Sequence, residues 1–242
     1  MTLVLKDVTG GYGHLPVLKE ISFEVRDHEL VGLIGLNGAG KSTTIKEIMG
    51  LLEPQAGTIT LDGLTLKKEA EAYRKKIGYI PETPVLYEEL TLKEHIEVTA
   101  MAYDIPQELA QARAKKLLKT FRLENRMDWF PANFSKGMKQ KVMILCALLI
   151  EPSLLIVDEP FLGLDPLAIH ALLTLFDEMK QTGVSILMST HVLATAEKHC
   201  DRFVILHEGK IRAQGTLAEL QVEFGLPQAS LDEIYIALTK ED

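Results

Sequence analysis

The stretch LVGLIGLNGAGKSTTIKEI (Leu30–Ile48) constrains this chain more than any other. Its first six residues are continuously apolar, as expected of a strand buried on both faces of a sheet. Gly35-Leu36-Asn37-Gly38-Ala39-Gly40-Lys41-Ser42 then fits the pattern G-x-x-x-x-G-K-[ST] and runs into a helical repeat. Glycines let the backbone curl until several N–H groups face one centre, and the helix dipole adds positive potential there. Strand, loop and helix in that order demand a parallel α/β sheet with an anion at its carboxyl edge. Lys41 is expected to reach the β- and γ-phosphates of a nucleotide, and the Ser42 hydroxyl to ligate Mg²⁺. Gly35, Asn37, Gly38, Gly40 and Thr43 complete the cradle.

Two more continuously apolar runs, LLIVDE (Leu154–Glu159) and VSILMST (Val184–Thr190), read as companion strands, each followed by a turn and a helical pattern. Period-two runs occur at Leu3–Val8, Ile21–Val25 and Thr58–Gly63, with Gly-rich breaks between them. From about residue 90 to residue 150 no strand-like run occurs. Thr91–Tyr103 and Pro106–Phe121 are helical by apolar spacing, and Pro106 suits the first turn of the second helix. The expected architecture is therefore one α/β domain over residues 1–242. A parallel core carries an N-terminal β part, an inserted helical block (90–150) and a short helical tail (215–242).

The strand ends carry the candidate chemistry. Leu154–Asp158 delivers Asp158 to the edge beside the phosphate loop, where it can hold the Mg²⁺ shell. Glu159, next in line, is placed to polarise water for attack on the γ-phosphate. His191 ends the following buried strand, where an imidazole can hydrogen-bond the γ-phosphate or the attacking water. His14, His28, His95, His170, His199 and His207 lack such context and read as surface or packing residues.

A second anion-type helix start stands at FSKGMKQKV (Phe134–Val142). Ser135 can cap a helix, Gly137 is flexible, and the cations Lys136, Lys139 and Lys141 follow closely.

Composition narrows the class. The chain is 47% hydrophobic with no apolar run near the roughly 18–20 residues that span a bilayer. The N-terminus lacks a basic stretch and a small-residue cleavage site, so a cytosolic protein is expected. Its net charge of −8 disfavours a nucleic-acid partner. The basic stretch Leu64–Lys76 is interleaved with acids and reads as a solvated surface. Cys146 and Cys200 are not in a metal or redox spacing; Cys146, within an apolar run, reads as a core residue.

GLNGAGKST, FSKGMKQ, LLIVDEP, GLDP (Gly163–Pro166) and STH (Ser189–His191) follow one another in the order seen in ATP-binding subunits of ABC (ATP-binding cassette) transporters, which the chain resembles over nearly its whole length. The resemblance implies a P-loop NTPase fold: a RecA-like parallel-sheet core with an N-terminal antiparallel β subdomain and an inserted helical subdomain. It implies ATP and Mg²⁺ as cofactors, ATP hydrolysis, and a head-to-tail homodimer. In that dimer the signature loop, Ser135, Lys136 and Gly137, closes on the nucleotide of the partner copy. That would explain why one chain carries two anion-binding helix starts. The resemblance further places Tyr12 against adenine and Asp165 in a loop that communicates across the dimer. It also implies an integral membrane subunit contacting the Glu82–Ala102 region, at the cytoplasmic face of the cell membrane.

Two positions depart from the family pattern. Lys136 replaces a glycine of the common LSGGQ signature, a form associated with the exporter-like branch. Glu82 stands where most members have a glutamine that touches Mg²⁺ or the attacking water; a carboxylate can still coordinate Mg²⁺. Pattern and C-terminal ending are most similar to the Ecs-type transporter ATPases of Gram-positive bacteria. The alternative is a soluble ABC-type ATPase acting on nucleic acid or the ribosome. A single cassette without a charged linker, long coiled coil or zinc cysteines disfavours it, and the signature loop and GLDP turn disfavour a P-loop kinase.

Overall fold

Alternation of side chains builds the first sheet. Strands β1 (Leu3–Tyr12), β2 (Leu15–Val25) and β4 (Ala56–Leu61) pair antiparallel in the order β2-β1-β4. Leu3, Leu5 and Val8 turn inward with Ile21, Phe23 and Val25, while Lys6 and Asp7 face water. The computed structural model describes residues 3–13, 15–161 and 163–240; His14 and the last two residues of the tail lie outside them. Both β1 and β2 run well beyond the segments expected from period-two patterning. The β1–β2 register shifts repeatedly between Leu5 and Gly11, so alternation breaks while pairing continues.

The second sheet has the order β5-β6-β7-β3-β8-β9. Its members are β3 (Leu30–Ile34), β5 (Ile77–Ile80), β6 (Leu154–Asp158), β7 (Ser185–Thr190), β8 (Arg202–His207) and β9 (Lys210–Gly215). The first five in that order are parallel, and β9 folds back antiparallel on β8, so the sheet is mixed. The continuously apolar runs occupy β6, β7 and β3, adjacent in the sheet and buried at every position. Their carboxyl ends release Glu159, His191 and Gly35 along one edge.

Layers on both faces explain that burial. On one face Ile45 and Ile48 of α1 (Lys41–Ile48) join Leu154 and Ile156 with the three-stranded sheet. On the other, α3 (Leu92–Ala102), α4 (Gln107–Phe121), α5 (Lys136–Leu149) and α6 (Pro166–Gln181) pack Ile96, Phe121, Leu145 and Phe176 against Leu155 and Val157. Each such side chain, fully buried, contributes roughly 1.5–3 kcal/mol. Around Ile34, Phe203 and Ile205 close α7 (Leu193–His199), α8 (Leu217–Glu223) and α9 (Leu231–Lys240).

The structure corrects two readings and, of the two roles left open for His95, shows packing. The stretch Leu64–Lys76 is not simply solvated surface. It carries α2 (Leu66–Lys75), which buries Tyr73 and lets its hydroxyl donate to the Ile48 carbonyl at 2.9 Å. Pro106 is the residue before α4, with extended backbone (φ −54°, ψ 138°), rather than a member of its first turn. His95 is buried with both ring nitrogens engaged: Nε2 accepts from the Tyr87 N–H at 3.0 Å, and Nδ1 lies 2.8 Å from the Thr91 carbonyl.

Candidate functional site

The phosphate loop is shaped by absent side chains. Gly40 ends the loop at φ 113°, in the left-handed region, and a Cβ there would fall 2.7 Å from a Leu18 methyl. At Gly35 a Cβ would meet the Leu206 carbonyl at 2.5 Å. Gly40 contributes no side-chain cap to α1, so the amides of its first turn are not claimed by a cap. Lys41 is buried, and its Nζ donates to the carbonyls of Gly35 (2.6 Å) and Leu36 (3.3 Å). Burial lowers its pKa, opposed by the carboxylates of Glu159, Asp158 and Glu82. Ser42 and Asn37 are exposed at the mouth, and Thr43 is buried.

Strand ends β6 and β7 set the acids. Asp158 is buried and accepts from the Ser189 hydroxyl. Glu159 takes a left-handed backbone (φ 47°), unusual for a residue with a side chain and found disproportionately at functional sites. Its N–H donates to the Ser189 carbonyl at 3.2 Å, and its Oε1 lies 2.8 Å from Nδ1 of His191. Ser189 thus orders both acids. It lies within the STH stretch, yet nothing in the sequence distinguishes its hydroxyl from that of any buried strand serine.

Tyr12 stands at the end of β1, half exposed. Its hydroxyl accepts from Lys46 Nζ at 3.0 Å, and this bond lowers its pKa, with Thr43 of the loop also contributing. On the edge strand β5, burial pushes the Tyr79 phenol up to about 12, with Asp158 and Glu82 adding to the shift. Exposed Glu82 therefore sits within electrostatic reach of both Asp158 and Lys41.

The signature loop starts α5. The Ser135 Oγ accepts from the Met138 N–H at 3.3 Å. Gly137 is pressed on the GLDP turn, where a Cβ would lie 2.5 Å from the Gly163 carbonyl. Asp165 caps α6 by accepting from the Ala168 N–H (2.9 Å) and pairs with Lys141 (2.7 Å), which holds its carboxyl below the usual range. Of the three cations that follow Ser135, two are spent on loops: Lys141 on Asp165, and Lys139 on Glu88 at 3.1 Å. Lys136 is exposed and in no ion pair among the described residues. Among those residues no hydrogen bond joins 135–137 to 35–43.

Known proteins resemble this chain in sequence and fold. Residues 18–162 match the family described as ABC transporter. The ABC-type transporter ATP-binding protein EcsA of Bacillus subtilis is 61% identical over 240 residues, 99% of this chain and 97% of the relative. The linearmycin resistance ATP-binding protein LnrL of the same organism is 35% identical, over 92% of this chain and 72% of its own length. Among solved structures, an ATP-binding subunit of an ABC transporter superposes with a TM-score of 0.97 at 58% identity, over 99% of this chain and all of that one. A dimeric ATP-binding cassette in a post-hydrolysis state, bound to ADP and phosphate, superposes with a TM-score of 0.79 at 26% identity, covering 89% of this chain and 98% of its own. This chain belongs to the ABC transporter family, as an ATP-binding subunit of Ecs type with the ABC ATPase fold.

Proposed function

We propose that this ATPase subunit powers an exporter by closing and opening a head-to-tail homodimer around two ATP molecules. Lys41, the loop amides and Tyr12 bind the nucleotide of their own chain, with the Tyr12 ring against adenine. Ser135, Lys136 and Gly137 close on the nucleotide of the other copy, and Asp165 relays between the sites.

The residues present fit a magnesium-bound triphosphate. Glycines clear the cradle, Ser42 is exposed in the first turn of α1, and the carboxylates of Asp158 and Glu82 act electrostatically on Lys41. Ser42, Asp158 and Glu82 would hold Mg²⁺, which when bound neutralises charge developing on the phosphates. Glu159 acts as the general base that takes a proton from the attacking water, and His191 orients its carboxylate.

The observation that carries this reading is the Glu159–His191 pair, held at the carboxyl edge beside the phosphate loop. For the partner, the region from Glu82 to Ala102 exposes Val85, Tyr87, Val98 and Met101. Such apolar exposure suits a protein segment, here a membrane subunit received at the cytoplasmic face by the helical block of residues 90–150. A net charge of −8 argues against nucleic acid in that role.

Glu159→Gln tests the assignment. The variant should bind ATP, accumulate as a dimer in size-exclusion chromatography with light scattering, and turn over roughly 10²–10⁴-fold more slowly. Unchanged steady-state hydrolysis would refute the role of Glu159.

A further inference from the structure

Three consecutive residues of α5 reach three different partners. Lys139 pairs with Glu88, Lys141 with Asp165, and between them the Gln140 Nε2 donates to the Pro81 carbonyl at 3.1 Å. The two ion pairs are partly exposed and weak by nature. Gln140 is 1% exposed, so its bond is made away from water, where losing a partner is costly. The accepting carbonyl belongs to the peptide group linking Pro81 to Glu82. Holding that group fixes the plane from which the Glu82 backbone departs.

A second observation shows what the amide is for. The Oε1 of Gln140 is buried with no partner among the described residues. An orphaned buried acceptor costs about 1–3 kcal/mol, which an apolar side chain of the same length would avoid. The only thing the carboxamide supplies here that methionine could not is a donor for Pro81. A carbonyl oxygen can only accept, so the nitrogen must face it.

We infer that Gln140 is the positioning residue for Glu82, tying the loop that presents this carboxylate to the helix that begins with the signature Ser135. The inference rests on the proposed role of Glu82 as a Mg²⁺ ligand. It goes further: the chain holds its substituted carboxylate in place from the signature helix, so the two half-sites of one chain move together.

Two readouts on the purified chain test this. The first is amide hydrogen exchange across residues 82–90 without nucleotide, comparing wild type with Gln140→Met and, should that variant fold poorly, Gln140→Asn, whose shorter arm cannot reach Pro81. Exchange should quicken about tenfold there while β6 and β7 keep their protection. The second is a double-mutant cycle in which Mg²⁺ is titrated at fixed ATP. Gln140→Met or Gln140→Asn should raise the half-activating Mg²⁺ concentration about tenfold in the wild-type background and not at all in a Glu82→Ala background, because the two act as one unit.

Equal shifts in both backgrounds, unchanged exchange, or no shift from either Gln140 variant would overturn the inference. In that last case, a shift from Glu82→Ala alone leaves the metal role of Glu82 standing. Its absence overturns that role as well.

Discussion

The chain contains two helices that begin in the manner of anion sites, and they are built in opposite ways. Helix α1 opens on Gly40, whose backbone is left-handed and which has no side chain to cap the first turn. The cation that follows it, Lys41, is buried, donates to the Gly35 and Leu36 carbonyls, and feels the carboxylates of Glu159, Asp158 and Glu82 of the same chain. Helix α5 opens on Ser135, which spends its hydroxyl on the Met138 amide, and its next cations tie down neighbouring loops. The first start has no side-chain cap and is, in the proposed function, the site of the chain's own nucleotide. The second is self-capped and braced from behind by the GLDP turn. Its exposed elements are only Ser135 and Lys136. In the proposed dimer, these two exposed residues are what the helix start presents to the nucleotide of the other copy.

The largest expected effect breaks the first start. Lys41→Met removes the only buried lysine among the described residues, the one proposed to meet the phosphates. Removing a preorganised donor of this kind costs roughly 10²–10³ in turnover, and nucleotide affinity should fall with it. Fluorescent-nucleotide titration and steady-state hydrolysis measure the two separately. Full affinity retained would mean that the loop amides alone bind the phosphates, and the contrast with α5 would lose its basis.

The two starts also differ in how far the sequence reveals them. The glycines, Lys41 and Ser42 are fixed by local geometry at a set spacing, so their arrangement is legible in order along the chain. The same holds for Asp158, Glu159 and His191, since a buried parallel strand delivers its last residue to one edge. The bracing of α5 was not legible. Glu88, Pro81 and Asp165 come from loops 51, 59 and 24 residues away from their partners. Only the packing of α5 against β5 and the GLDP turn brings them close. Lysines that look free for phosphate are therefore committed elsewhere. β5, at four residues, is too short to show a period, whereas β8 and β9 have six each, more than β3 or β6, and β9 alternates in burial, so length and pattern do not hide those two. His95 looked like any helix histidine because its partner, the Tyr87 N–H, is a backbone group with no sequence signature.

An intermediate effect lies at the other end of α1. Glu47 is fully buried, and neither carboxylate oxygen has a partner among the described residues. It packs so tightly on Gly10 that a Cβ there would fall 1.9 Å from its Oε1. Burial pushes its pKa from 4.5 up to about 7. The folded chain then keeps a proton that the unfolded chain has lost, so stability falls as pH rises from 4.5 to about 7 and stays low above. Glu47→Gln removes the ionisation. The variant should match wild type near pH 4 and exceed it by on the order of 3 kcal/mol at pH 8 in urea unfolding. Parallel curves at both pH values would show that the carboxylate is neutralised by a contact rather than by a proton. Either way ATP binding should persist, because Glu47 faces β1 and not the phosphate loop.

The smallest single effect lies at Ser135, and it sharpens the contrast most. Ser135→Ala deletes one N-cap bond, which costs about 1 kcal/mol of stability and leaves nucleotide binding at the intact loop of the same chain unchanged. Turnover should fall several-fold, because a partner copy now meets a poorer surface. Mixing this variant with Lys41→Met then discriminates. In a head-to-tail pair of the two, one composite site has both Lys41 and Ser135 intact while the other has neither. The mixture should hydrolyse ATP faster than the sum of the two variants measured apart, and the excess should grow with protein concentration as pairs form. A rate equal to the sum would mean that α5 serves its own chain's nucleotide. The difference between the two helix starts would then be a difference of capping alone.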